Sequence, residues 1–417
     1  MDFSSIDIFC HRVDNYGDLG VAYRFAKELK IARPAWRVRA FFDDLAALRE
    51  IADEIDPDEV IQERNSIVYV KSWALSRAQA DALGAADVMV EMFACDIPEP
   101  FMEMAYDNSI LIINLEYLSA EEWVEGYHLK ESLLGRGSVR KFFFLPGFRE
   151  TTGGLIINSR LRDALESGSF DRYAVINDIL DKYGLNHIKP EDNQLIGTIF
   201  TYERGFDLLL AHIGNLECQT TLLVFGEKSR RGMSATLGRL GIDVVNVINK
   251  GGQRANEPCQ CQYYIYKNVQ IIYMPFVNQH AYDTLLCCTG FNIVRGEDSL
   301  ARAALSGKPF IWNAYIQNEK YQNVKVEALL KTLRPYFDDE NLFAAYSDLM
   351  TKFNDAPAES PEQTTSERYD IFFKNLKKLE HASERIYYFM LRNCDLVSKF
   401  CNFLDGYQAD YVNIDKQ

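Results

Sequence analysis

Short apolar runs recur along the chain and alternate with stretches whose apolar residues return at helical spacing. In the first half, Ile6 to Cys10, Val38 to Phe42, Ile67 to Val70, Asp87 to Ala94, Ile110 to Leu115 and Lys141 to Leu145 read as strands. Helical patterns such as Val21 to Ile31 lie between them. Runs that are apolar almost throughout belong to strands covered on both faces, so this alternation predicts a parallel sheet flanked by helices. A polar, helix-rich stretch from Asn158 to Asp192 follows, and the same grammar restarts. Strands are expected at Leu195 to Tyr202, Thr221 to Gly226, Val244 to Ile248, Val269 to Phe276, Phe291 to Arg295 and Pro309 to Trp312. The chain is therefore read as α/β with two similar halves, over 1–165 and 190–380. Asn354 to Glu367, "NDAPAESPEQTTSE", reads as an exposed loop. Arg368 to Tyr411 has helical periodicity, and a last helix over 385–417 is expected to pack back on the first half.

Length agrees with this division, since 417 residues at roughly 150 per domain give two or three. A balance of 47% hydrophobic and 25% charged residues is that of a globular protein. The net charge of -15 argues against nucleic acid or an anionic membrane as a partner, and suits either a cationic acceptor or solubility alone. The start MDFSSIDIFC lacks the basic and apolar regions of a signal peptide, and no long apolar stretch follows, so a cytoplasmic location is expected. Among nine cysteines, Cys10 and Cys95 lie in apolar runs and read as buried thiols. Neither Cys259 with Cys261 nor Cys287 with Cys288 has the spacing of a zinc site, and His280 is the only histidine between the pairs. Asp56 and Asp58 belong to a solvated acidic run. No metal is expected.

Ligands of open α/β sheets bind beyond the carboxyl ends of strands, which directs attention to the loops that follow them. The octet "VDNYGDLG", residues 13–20, places Asp14 and Asp18 where many such proteins hold phosphate. It lacks the three-glycine fingerprint, and its carboxylates would repel a pyrophosphate, so a nicotinamide cofactor is not expected even though Asp43 or Asp44 could mimic a ribose-binding acid. With a helix starting near Gly17 or Asp18, both acids can serve chemistry. Alternatively, Asp18 caps a helix that begins at Leu19, which leaves Asp14 without a role.

A second stretch, "NIVRGEDSLARAALSGKPFIW", residues 292–312, reads as strand, glycine turn and a helix opening at Asp298 or Ser299. Its first-turn amides would suit a diphosphate, with the Ser299 hydroxyl added. Glu297 is either a first-turn acid favoured by the helix dipole or a group aimed at sugar hydroxyls or a cation. Phe200, Tyr202 and Phe276 stand at strand ends of the second half, where rings can sandwich a nucleobase and Gln279 can read an edge; ordinary core packing is the other reading.

Five segments, "IDIFCHRVDNYGDLGVAYRFAKEL", "INLEYLSAEEWVEGYH", "FFFLPGF" with "TGGL", "MPFVNQHAYDTLL" and "VRGEDSLARAALSGKPFIW", occur in order between residues 5 and 325. Together they resemble the bacterial protein-arginine rhamnosyltransferases that modify elongation factor P, the EarP family. The resemblance implies a GT-B-type glycosyltransferase with two facing Rossmann-like domains. The first would bind acceptor and the second the nucleotide sugar, with L-rhamnose passing from dTDP-β-L-rhamnose to arginine with inversion and without a metal. On matching positions it implies Asp14, Asp18 and Glu297 as catalytic acids. It implies Asn15, Tyr16, Gly17, Phe200, Tyr202, Phe276, Gln279, Asp298 and Ser299 as donor contacts, and Glu116 and Tyr117 as acceptor contacts. Asn313 and Ile316 stand where the family pattern has a histidine and a proline.

Paired carboxylates suit an arginine acceptor, because a guanidinium has delocalised lone pairs and a pKa above about 12 and needs both a grip and a base. A GT-B enzyme with another nucleotide sugar or a small acceptor, and a module that binds elongation factor P without modifying it, are the competing readings.

Overall fold

The computed structural model describes the chain except residues 1–2, 13–15, 109, 133–138, 169, 186, 189–193, 252–257, 317, 356–365 and 415–417. All twelve apolar runs contribute strands, and three further strands lie beside them.

The first sheet contains β1 (Ser5–Cys10), β2 (Arg37–Phe42), β3 (Ile61–Arg64), β4 (Ile67–Lys71), β5 (Val88–Met92), β6 (Leu111–Leu115), β7 (Glu131–Ser132) and β8 (Lys141–Phe144). Their spatial order is β3-β4-β2-β1-β5-β6-β8-β7. All neighbours are parallel except the hairpin pairs β3/β4 and β7/β8. Every residue of β1, β5 and β6 is buried, as strands covered on both faces require. At the centre, Arg39 on β2 donates to both carboxylate oxygens of Asp7 on β1, at 2.6 Å each, and to the carbonyls of Leu83 and Gly84. The fork satisfies two groups that would otherwise be costly to bury.

The second sheet contains β9 (Leu195–Ile199), β10 (Thr220–Val224), β11 (Asn246–Gly251), β12 (Pro258–Tyr266), β13 (Val269–Tyr273), β14 (Phe291–Arg295) and β15 (Phe310–Asn313). Its order is β11-β12-β13-β10-β9-β14-β15, with β11, β12 and β13 antiparallel and the rest parallel.

By contacts the chain divides into one unit of Met1–Arg162 with Phe389–Gln417 and another of Asp163–Tyr388. The helical tail is three helices, Ser366–Lys374, Leu376–Asn393 and Leu396–Ile414. Phe400, on the last of these, meets Phe25 and Phe144 edge-on at 5.1 and 5.3 Å in the core of the first unit.

The "TGGL" segment explains how this helix is attached. The Leu155 amide donates to Cys394 O at 2.7 Å and Leu155 O accepts from the Leu396 amide at 2.9 Å. Gly154 lies at φ 80, and a Cβ there would stand 2.2 Å from Cys394 O, so only glycine allows the approach. Lys399 adds an ammonium to Thr152 O at 2.8 Å.

Candidate active site

In the first unit the adjacent strands β1, β5 and β6 deliver the candidate groups at their carboxyl ends. Asp14 and Asn15 lie outside the described residues. The helix that follows β1 is Gly17–Ala32, its N-cap is Tyr16, and no side chain caps it. Asp18 is therefore the second helical residue and not the cap of a helix starting at Leu19, which corrects that alternative. It is 2% exposed and close enough to Cys10 that its charge, after burial and Cys95, helps push that thiol up. Beyond β6, Glu116 Oε1 accepts from Asn114 Nδ2 at 2.8 Å, and Tyr117 stacks on Phe93, the residue after β5, with centroids 4.2 Å apart. Glu91, one row away on β5, is ion-paired with Lys141, and burial raises its carboxyl.

In the second unit β13, β10, β9, β14 and β15 run side by side, and the carboxyl ends of β13, β9 and β14 carry the remaining candidates. Phe276 lies three residues past β13 and is exposed, while Gln279 opens helix Gln279–Cys288, which Asn278 caps. Phe200 directly follows β9. The Arg295 guanidinium lies over Phe200 at 4.3 Å and over Tyr202 at 5.1 Å, and donates to Thr201 O between them at 3.0 Å. The Thr201 amide donates to buried Ser229 Oγ at 2.7 Å, and the Tyr202 amide to Asn313 Oδ1 at 3.0 Å. Three neighbouring elements thus fix one short loop and its two rings.

Helix Gly296–Ala304 starts two to three residues earlier than the sequence reading, with Arg295 as N-cap. Gly296 has φ 65 and its carbonyl accepts from Trp312 Nε1 at 3.0 Å, which sets the turn. The amides ahead of the first intrahelical donor are those of Gly296, Glu297 and Asp298, so Ser299 offers its hydroxyl and not its amide. Glu297 pairs with Lys325 on helix Tyr321–Leu333 at 3.0 Å, and Asp298 lies 3.7 Å from Arg302.

Sequence reasoning missed Lys325, Asn114 and Phe93, whose roles depend on contacts across the fold. Arg295 stood inside a quoted motif without an assignment. Cys10, Cys95, Cys287 and Cys288 are buried free thiols, and the Cys259 and Cys261 side chains lie outside the described ones. Among the described residues no group of three or more His, Cys, Asp or Glu is placed to hold a metal ion, and no helix is long and apolar enough to cross a membrane.

Two α/β units with acids at the strand ends of one and rings with a helix N-terminus at those of the other define a GT-B-type glycosyltransferase. The chain superposes on a structure solved for EarP-mediated arginine glycosylation of translation elongation factor EF-P with a TM-score of 0.59, at 22% identity, covering 96% of this chain and 99% of that one. That likeness concerns the fold. The sequence pattern of the family described as Elongation-Factor P (EF-P) rhamnosyltransferase EarP matches residues 6–405. The chain is 34% identical over 340 residues to the protein-arginine rhamnosyltransferase of Pseudomonas putida, covering 80% of this chain and 82% of that protein. It is 30% identical over 358 residues to that of Neisseria meningitidis, covering 85% of each. The chain belongs to the EarP family of protein-arginine rhamnosyltransferases.

Proposed function

We propose that the enzyme transfers L-rhamnose from dTDP-β-L-rhamnose to an arginine of elongation factor P, with inversion, and so activates that factor for ribosomes stalled at polyproline. The observation that carries this reading is the contrast between the strand ends of the two units. Acids stand on one, Asp18 and Glu116; aromatic rings and first-turn amides stand on the other. The names of the relatives and of the family support the acceptor.

In this reading Phe200, Tyr202 and Phe276 take the thymine ring and Gln279 reads its edge. The amides of Gly296, Glu297 and Asp298, with the Ser299 hydroxyl, receive the diphosphate and stabilise it as it leaves. Asn15, Tyr16 and Gly17 complete the donor contacts. Asp14 grips the acceptor guanidinium by charge-assisted hydrogen bonds, and Asp18 is the base. The guanidinium nitrogen attacks the anomeric carbon from the face opposite the diphosphate; the carbon–oxygen bond to dTDP breaks, and the nitrogen's proton passes to Asp18. Glu297, held by Lys325, is the third acid and lies on the donor side. The helix N-terminus supplies the neutralisation that a divalent cation would otherwise give, and the protein works in the cytoplasm.

Incubation of elongation factor P with enzyme and dTDP-rhamnose, followed by intact-mass measurement and fragment mapping, tests the assignment. One deoxyhexose on an arginine is expected. No increment with dTDP-rhamnose, alongside transfer from a uridine or guanosine diphosphate sugar, contradicts it.

A further inference from the structure

Strand β5 ends at Met92, and the next two residues, Phe93 and Ala94, have φ of 58 and 52. Left-handed backbone is unfavourable for any residue with a Cβ, and neither residue is among the types that tolerate it best. Such conformations persist only where surrounding contacts over-determine them. Here the Phe93 amide donates to Leu115 O at 2.8 Å, the Ala94 amide to Asn114 Oδ1 at 3.2 Å, and the Cys95 amide to Met92 O at 3.1 Å. The turn lays the Phe93 ring almost parallel to Tyr117, with an interplanar angle of 16°.

Asn114 is 2% exposed and uses both ends of its amide. Its oxygen holds the strained turn, and its nitrogen donates to Glu116 Oε1. Asn114 and Glu116 are two apart on one strand direction and so share a side. The neighbouring acid Glu91 has Lys141 as its counter-ion, whereas no cation pairs with Glu116 among the described residues. Tyr117, backed by Phe93, remains 42% exposed. The successive residues Glu116 and Tyr117 carry a carboxylate without a counter-ion and a ring held in plane, the two groups that recognise a guanidinium, which takes bidentate hydrogen bonds in its plane and stacks on its face.

We propose that Asn114 and Phe93 are positioning residues that set Glu116 and Tyr117 as the station for the acceptor arginine. Asn114 aims the carboxylate and Phe93 fixes the ring, both through the strained turn after β5. This rests on the reading of Glu116 and Tyr117 as acceptor contacts.

Steady-state kinetics with elongation factor P and dTDP-rhamnose separate the two ideas, using Phe93→Leu, Phe93→Tyr, Asn114→Asp and Tyr117→Leu. Asn114→Asp keeps an acceptor for the Ala94 amide but places a second negative group against Glu116. The expected result is a rise of about tenfold in KM for the acceptor protein with Phe93→Leu and Asn114→Asp, while KM for the donor and kcat stay within about twofold. Phe93→Tyr, which keeps a ring, restores the acceptor KM. Phe93→Leu combined with Tyr117→Leu is no worse than Tyr117→Leu alone, as expected for one coupled unit. If Tyr117→Leu raises the acceptor KM but Phe93→Leu and Asn114→Asp do not, the inference is overturned and the acceptor reading stands. An unchanged acceptor KM in Tyr117→Leu overturns both.

Discussion

Single side chains here are set more by neighbours distant in sequence than by local pattern, and His128 shows the consequence for stability. Its Nδ1 accepts the Leu145 amide at 3.1 Å, its ring meets Phe144 edge-on, and burial, aided by Lys399, lowers its pKa to about 4 from 6.5. The folded state thus favours the neutral ring, and the unfolded chain takes up a proton first. Stability from this residue is present above pH 6.5 and is lost as pH falls toward about 4. Denaturant unfolding at pH 7 and pH 4.5 is expected to show a loss on the order of 1 to 2 kcal/mol, after discounting for partial exposure, that His128→Gln reduces. Equal losses in both proteins contradict it. The same dependence on distant neighbours limits what the sequence shows of the site. Acids and rings in strand-end loops are legible because strand ends are legible; Lys325 against Glu297, or Asn114 against Ala94, is a contact that only the folded chain creates.

Elements buried on both faces announce themselves, which is why the parallel strands could be read directly. The unread strands β3, β7 and β12 are antiparallel additions with mixed composition: "IQER", two residues, and the Cys- and Gln-rich "PCQCQYYIY". For a related reason the first helix start stays open in the sequence between Gly17 and Leu19, and the later one reads two to three residues late. Tyr16 and Arg295 occupy N-cap positions without a side-chain cap, so the usual polar signal is missing there. At the second of these helices the turn depends on Gly296. An added Cβ would lie 3.6 Å from Tyr202 Oη, an ordinary contact, so Gly296→Ala is opposed by backbone conformation and not by a clash. The expected cost is about 1 to 2 kcal/mol in denaturant unfolding, with weaker dTDP binding by calorimetry. Unchanged dTDP affinity contradicts a diphosphate role for this helix start.

Across the whole molecule, the first unit is completed by the end of the chain. Phe400 fills the core between Phe25 and Phe144, and the helix carrying it is tethered through Leu155 to the "TGGL" segment. Gly154→Ala would press a Cβ against Cys394 O at a backbone φ of 80, and is expected to destabilise the protein by on the order of 3 kcal/mol or more. A thermal unfolding midpoint equal to wild type contradicts that tether. The proposed activity rests on the carboxylate in the first turn of the helix after β1. Because Asp18 is not the N-cap of its helix, Asp18→Asn tests the proposed base without removing a cap. The decisive measurement is the rate of rhamnose transfer to elongation factor P by Asp18→Asn, followed by intact mass at saturating dTDP-rhamnose, with dTDP affinity measured in parallel. The account predicts a rate lower by about a hundredfold or more with dTDP affinity within about twofold. Transfer at the wild-type rate contradicts it.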